Sequence, residues 1–125
     1  MKGDKHMELI IGGAYQGKLA YARSKFDLSD EDIFVCTTEG KIDFSKRCIC
    51  GLEEYILACV KSGTEPESAF RADAIIICRD ISCGIVPEDP VLRAWREATG
   101  RCLNRLSAEA AHVVRLFCGL PQVLK

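Results

Sequence analysis

The chain has 125 residues, 48% of them hydrophobic and 28% charged, with a formal net charge of −1. That is long enough for one domain with its own core and too apolar for a disordered chain. The near-zero charge excludes broad electrostatic attraction to nucleic acid or to an anionic membrane, and no apolar run approaches the roughly 20 residues of a membrane-spanning helix.

The opening MKGDKHME lacks the apolar core of a signal peptide. Residues 1–7 read as a flexible tail, with Met7 an alternative start, and 8–125 as a single domain. A cytoplasmic location is expected. In Glu8–Tyr21, the apolar run Leu9-Ile10-Ile11 feeds a glycine turn and then an amphipathic segment that opens at Gly17-Lys18. The spacing from Gly12 through Gly13, Ala14, Tyr15 and Gln16 to Gly17 and Lys18 is G-x-x-x-x-G-K, the pattern of a phosphate-binding loop. Its glycines let backbone N–H groups face an anion, the helix N-terminus adds its dipole, and the lysine reaches the terminal phosphates. The next position ordinarily offers a hydroxyl to Mg²⁺; here it is Leu19, which has no oxygen. A glycine turn that merely packs a helix on a strand is the competing reading.

Gly17–Lys25 reads as a helix with Leu19, Ala20, Ala22 and Phe26 on one side. Ile33–Cys36 is a continuous apolar run, which suits a buried parallel strand better than an edge one. It ends in Thr37-Thr38-Glu39-Gly40. Lys41–Cys50 is mixed, a loop or a short element. Leu52–Val60 places Leu52, Tyr55, Ile56, Cys59 and Val60 at helical spacing, with Ser62-Gly63-Thr64 closing the helix. Glu65–Arg71 is a short helix or a loop.

Ala74–Cys78 is β-branched and apolar throughout, a strand buried on both faces, and it runs into a second turn at Arg79–Gly84. Asp89 is a good N-cap with Pro90 at the first helical position. The helix that follows carries Val91, Leu92, Trp95, Ala98, Cys102, Leu103, Leu106 and Ala110 on its apolar face as far as about Ala111. Gly100 in its middle calls for a close neighbour or is simply tolerated. His112–Cys118 is a further strand, Gly119-Leu120-Pro121 turns the chain, and Gln122–Lys125 pairs back. Strands alternating with helices give an α/β protein with right-handed crossovers. Ligands of such sheets bind beyond the carboxyl ends of the strands, which puts Gly12–Lys18, Thr37–Glu39 and Arg79–Gly84 on one edge.

Eight cysteines invite a disulfide or metal reading that the spacing does not support. Cys36, Cys78 and Cys118 sit in apolar runs, and Cys59 and Cys102 on helical apolar faces, as buried hydrophobes do. Cys48-Ile49-Cys50 is a close pair without a second pair or a nearby histidine, a weak zinc signal. Reduced thiols are expected.

The segment Asp80–Lys125 resembles the bacterial bifunctional adenosylcobinamide kinase / adenosylcobinamide-phosphate guanylyltransferase family of cobalamin assembly. The resemblance is carried by Asp80, Gly84-Ile85-Val86-Pro87, Arg96, Gly100-Arg101 and the ending Gly119–Lys125, with Gly12-Gly13-Ala14, Gly17-Lys18 and Cys36-Thr37-Thr38-Glu39 matching further family turns. It is dense over 8–22 and 79–125, faint over 32–39 and absent over 40–72. It implies a three-layer P-loop NTPase-like fold, with a mostly parallel sheet of about five strands and a C-terminal hairpin.

By the same resemblance the chain is a transferase-like, homo-oligomeric protein that binds GTP or ATP and takes adenosylcobinamide as partner. Lys18 and Asp80 are its candidate catalytic residues, and Gly12 to Leu19 form the phosphate site. Thr37, Thr38, Glu39, Ser82, Gly84, Arg96 and Arg101 are candidate contacts. Asp80 is the candidate metal residue, through water, with Mg²⁺ weakened by Leu19. The departures are as telling. The family's guanylylated histidine has no counterpart, since His6 lies in the tail and His112 opens a strand. Between Gly40 and Ala72 one helix stands where the family also has a strand. Guanylyl transfer has therefore lost its centre and phosphorylation its usual metal hydroxyl. The alternative is a non-catalytic nucleotide- or corrinoid-binding subunit or regulator.

Overall fold

Three helices and six strands are present among the residues that the structure, a computed structural model, describes: 6–13, 17–81 and 88–125. In chain order they are β1 (Glu8–Gly12), α1 (Lys18–Phe26), β2 (Ile33–Val35), β3 (Cys48–Cys50), α2 (Leu52–Ser62), β4 (Ile75–Arg79), α3 (Pro90–Glu109), β5 (His112–Phe117) and β6 (Leu120–Val123). They form one sheet in the order β2-β3-β4-β1-β5-β6, parallel throughout except for β6, which runs antiparallel to β5.

The alternation of side chains along the strands makes three layers. Ile10, Ile75, Ile77, Val114 and Leu116 meet Ala22 of α1 on one face. Leu9, Ile49, Ile76, Cys78 and Val113 meet α2 and α3 on the other, through Leu52, Ile56, Ala98, Cys102 and Leu106. Burying one such Ile or Leu contributes about 1.5–3 kcal/mol before entropy is counted. The chain moves one way across the sheet through α1 and the opposite way, over the opposite face, through α2 and α3. The three crossovers that run through a helix therefore share one hand.

Local chemistry accounts for the ends of these elements. Asp89 caps α3, accepting from the N–H groups of Val91 at 2.8 Å and Leu92 at 3.4 Å, with Pro90 at the first helical position. Gly63, at φ +73°, closes α2. Cys118 and Gly119 both have positive φ, 52° and 75°, which is what a two-residue hairpin between right-twisted strands requires.

Several expectations are corrected. The sheet has six strands rather than about five, because Cys48-Ile49-Cys50 is inserted between β2 and β4. The region 40–72 therefore holds a strand as well as a helix. Three residues flanked by charges carry no periodic signal, and cysteine acts here as a small hydrophobe, with Cys48 and Ile49 fully buried. β2 is an outermost strand, not an interior one, and Val35 is 56% exposed; its apolar run is short and covered only in part. The terminal strand begins at Leu120, two residues before the expected start, since Cys118-Gly119 makes the turn. Cys118 is exposed rather than buried. Val91 and Leu92, expected on the buried face of α3, are exposed, and so is Ala20 of α1. Residues 64–71 are loop. Met7, at the edge of the expected tail, is buried in the core and its carbonyl accepts from Ala111 N–H at 2.8 Å.

Candidate functional site

β1 and β4 are adjacent and parallel, yet the chain leaves them in opposite directions. From β1 it passes through α1 to the far edge, and from β4 through α3 to β5 on the other side of β1. In open α/β sheets the crevice beyond the carboxyl ends of two such strands is where ligands bind. Gly12 pairs with Arg79 across this point, and Asp80 N–H donates to the Gly12 carbonyl at 2.9 Å. The start of α2 is tied to the same edge by Gly51 N–H, which donates to the Ile77 carbonyl at 3.0 Å.

The glycine turn opens this edge. A Cβ on Gly12 would stand 2.7 Å from the Leu116 carbonyl oxygen of β5, so no side chain fits there. Gly17 caps α1 at φ +79°, in the left-handed region that glycine enters without penalty. α1 has no side-chain cap and no acidic residue in its first turn. Such a helix start presents N–H groups and the positive end of the helix dipole. Lys18 is the first residue of α1, and its Nζ folds back to donate to the Gly13 carbonyl at 2.6 Å. Burial lowers the Lys18 pKa from its ordinary value, and the Glu53 carboxylate opposes that shift. Leu19 is partly buried and packs against the core on the α1 face, and it has no oxygen donor to offer. Ala14, Tyr15 and Gln16 lie outside the described residues, as do Ser82 and Gly84.

Glu53 is the residue that sequence reasoning missed. It sits in the first turn of α2 and its Oε1 accepts Arg79 N–H at 2.8 Å. Its own carbonyl accepts Trp95 Nε1–H from α3 at 2.8 Å, while the Arg79 guanidinium lies 5.8 Å from the centre of the Trp95 ring. Lys18, Arg79, Glu53 and Asp80 thus belong to one sheet edge, two cations against two carboxylates. The signal was available only through β3: once Cys48–Cys50 is a strand, Gly51-Leu52-Glu53 becomes a strand-to-helix turn on the same edge as Gly12–Lys18.

Other candidates lie elsewhere. Thr37 Oγ1 accepts Glu39 N–H at 3.3 Å, a local turn, and Thr38 and Glu39 line a groove of about 530 Å³ along α2 with Tyr55, Ala58 and Ser62. Arg96 is half-buried on α3, one turn and a half beyond its start. Arg101 is exposed, roughly 16 Å down that helix, on its Glu65-Pro66 side. His112 opens β5 at the opposite sheet edge, where its Nδ1 is 2.6 Å from Glu8 Oε2. Cys48 and Cys50 face α1. Among the described residues no three His, Cys, Asp or Glu side chains converge as a metal cage. The carboxylates of Glu53 and Asp80 are nonetheless the donor type that Mg²⁺ takes, one or two at a time, alongside substrate phosphates.

A sequence profile described as cobinamide kinase / cobinamide phosphate guanyltransferase matches residues 46–124, well over half of the chain. The chain belongs to this family. The cobinamide kinase / guanyltransferase match begins just before β3 and runs through α2, β4, α3, β5 and β6. It therefore includes 46–72, where motif comparison found no resemblance, and it takes in Glu53, Arg79, Asp80 and Trp95. No curated protein matches the chain. No helix among the described residues is long and apolar enough to cross a membrane.

Proposed function

We propose that this cobinamide kinase / guanyltransferase family member, of P-loop type, binds a purine nucleoside triphosphate over the turn from Gly12 to Leu19, GTP in preference to ATP. Its role is in cobalamin biosynthesis, with adenosylcobinamide as the corrinoid partner. Lys18 neutralises the phosphates and Asp80 assists Mg²⁺ through water. The remaining chemistry is phosphorylation of the cobinamide side-chain hydroxyl, which asks for positioning and charge neutralisation more than for covalent help. Guanylyl transfer through histidine is excluded from the proposal, because both histidines lie at the amino end of the sheet.

The observation that carries this reading is Lys18 at the head of α1, a helix with no side-chain cap, its ammonium 2.6 Å from the Gly13 carbonyl. The strand order, with β1 between β4 and β5, supports a P-loop assignment. Thr37, Thr38, Glu39 and Arg96 remain candidate contacts for the corrinoid. The exposed Phe117, Leu120 and Val123 of the closing hairpin, with Leu124 after it, favour a homo-oligomer, and a cytoplasmic location is part of the same proposal.

The second reading is a binding subunit or regulator without turnover, and what favours it is Leu19, partly buried against the core where a metal-binding hydroxyl would stand. Calorimetric titration with GTP and ATP, with and without Mg²⁺, tests binding. Labelled GTP with adenosylcobinamide tests turnover. Lys18→Ala is expected to abolish nucleotide binding, and unchanged affinity would overturn the site.

A further inference from the structure

We infer that Glu53 is the carboxylate through which this chain holds the divalent cation accompanying a bound nucleoside triphosphate, in place of the hydroxyl absent at Leu19. The inference rests on the nucleotide reading of the glycine turn. It concerns a residue that neither the loop motif nor the family resemblance singled out.

Three ties fix Glu53 at the carboxyl edge of the sheet. Gly51 N–H binds the Ile77 carbonyl, Trp95 Nε1–H binds the Glu53 carbonyl, and Arg79 N–H binds Glu53 Oε1, at 3.0, 2.8 and 2.8 Å. Backbone and side chain are both held, so the carboxylate is preorganised rather than swept aside when a ligand arrives. Its field reaches Lys18, where it favours the charged ammonium. A half-buried anion at the rim of a phosphate site repels a triphosphate on its own and attracts one once a cation lies between them. Helix stabilisation does not explain it, because Glu54 in the same turn already supplies a negative charge to the N-terminus of α2. Mg²⁺ seldom occupies an all-protein cage and is commonly held by one or two carboxylates, several waters and the phosphates themselves. Glu53, whose Oε1 is held by the N–H of Arg79, the residue before Asp80, meets that demand.

The test compares the affinity for GTP in EDTA and in Mg²⁺, by calorimetry, for the wild-type chain and for Glu53→Gln. Glutamine keeps an oxygen for Arg79 N–H, so the fold is retained, and a thermal melt checks this. The wild type is expected to gain roughly tenfold in affinity from Mg²⁺, the scale of one charge-assisted ligand. Glu53→Gln is expected to bind more tightly than wild type in EDTA and to lose the Mg²⁺ gain. Mn²⁺ bound to the protein–GTP complex, counted by electron paramagnetic resonance, should be released roughly tenfold more readily from the variant.

A Mg²⁺ gain that survives Glu53→Gln, or that is removed by Asp80→Asn instead, overturns this inference and leaves the nucleotide reading standing. So does a variant that binds GTP more tightly by the same factor in both conditions, which would make Glu53 a plain source of repulsion. Should Glu53→Gln fail to fold, Glu53→Asp, which keeps the charge and withdraws it by one methylene, is expected to weaken the Mn²⁺ signal, and an unchanged signal overturns the inference. If the wild-type chain binds no GTP under either condition, the nucleotide reading falls and this inference with it.

Discussion

Asp80 N–H donates to the carbonyl of Gly12 at 2.9 Å, so β1 and β4 stay paired up to the residue at which their chains part. That bond fixes the width of the crevice between the glycine turn and the end of β4. It also brings a carboxylate-bearing residue beside the end of β1. The site's frame is therefore backbone, and the side chains of Lys18, Arg79 and Glu53 decorate it.

Nucleotide affinity should fall in alkaline solution. Burial holds the Lys18 pKa below that of an ordinary lysine, and phosphates beside the ammonium favour its charged form, so the complex has the higher pKa. Affinity is complete below the free protein's Lys18 pKa and is lost as pH rises through it, with proton uptake on binding in that window. Calorimetry between about pH 7 and pH 10, in buffers of different ionisation enthalpy, reads both effects. The unliganded fold moves the other way over the same window, since folded Lys18 binds fewer protons than unfolded Lys18 and stability rises with pH.

Gly100→Ala should stabilise the protein by about 1 kcal/mol, the helix-propensity difference. A Cβ built at Gly100 meets nothing within 4 Å, so neither a packed backbone nor a neighbouring side chain demands the glycine. Urea denaturation gives the shift directly. A loss of stability would mean that the position is filled in solution.

Thr99→Val should also stabilise, by about 1 kcal/mol. Thr99 is completely buried on α3, and its Oγ1 finds no hydrogen-bond partner among the described residues. Replacing the hydroxyl by a methyl removes the desolvation cost and keeps the volume. The two substitutions are neighbours, so the double variant is the check on whether their effects add.

Thiol reactivity should follow burial. Desolvation pushes the thiols of Cys36 and Cys48 up to about 12. At pH 8 their thiolate fraction is on the order of one in ten thousand, against a substantial fraction for an ordinary thiol. Alkylation of the native protein with iodoacetamide, read by peptide mass spectrometry, should mark exposed Cys118 well before Cys36 or Cys48. Unfolding in urea should erase the difference.

The elements that could be read from the residues are those whose pattern is local. Ala74–Cys78 announces β4 because an unbroken β-branched run has nowhere to go but between two packed faces. Asp89-Pro90 announces α3 because capping chemistry acts within one turn. β3 escapes such reading. Cys48-Ile49-Cys50 is a strand only because β2 and β4 stand on either side of it, a relation between segments far apart in the chain. The position of β2 is obscure for the same reason, since an apolar run does not say which neighbours it will have. At the site, Gly12–Lys18 and Asp80 follow from strand-to-turn logic. Glu53 does not, because a glutamate in the first turn of a helix is ordinary until the helix is known to begin at the ligand edge.

Gly12 shows how two demands become written in one letter. The carbonyl of Leu116 forbids a side chain there whatever occupies the turn, so β5 alone is reason enough for the residue. The motif's opening glycine would thus persist in a descendant with no ligand at the turn, while Lys18, whose ammonium meets only the exposed Gly13 carbonyl among the described residues, is under no such steric demand.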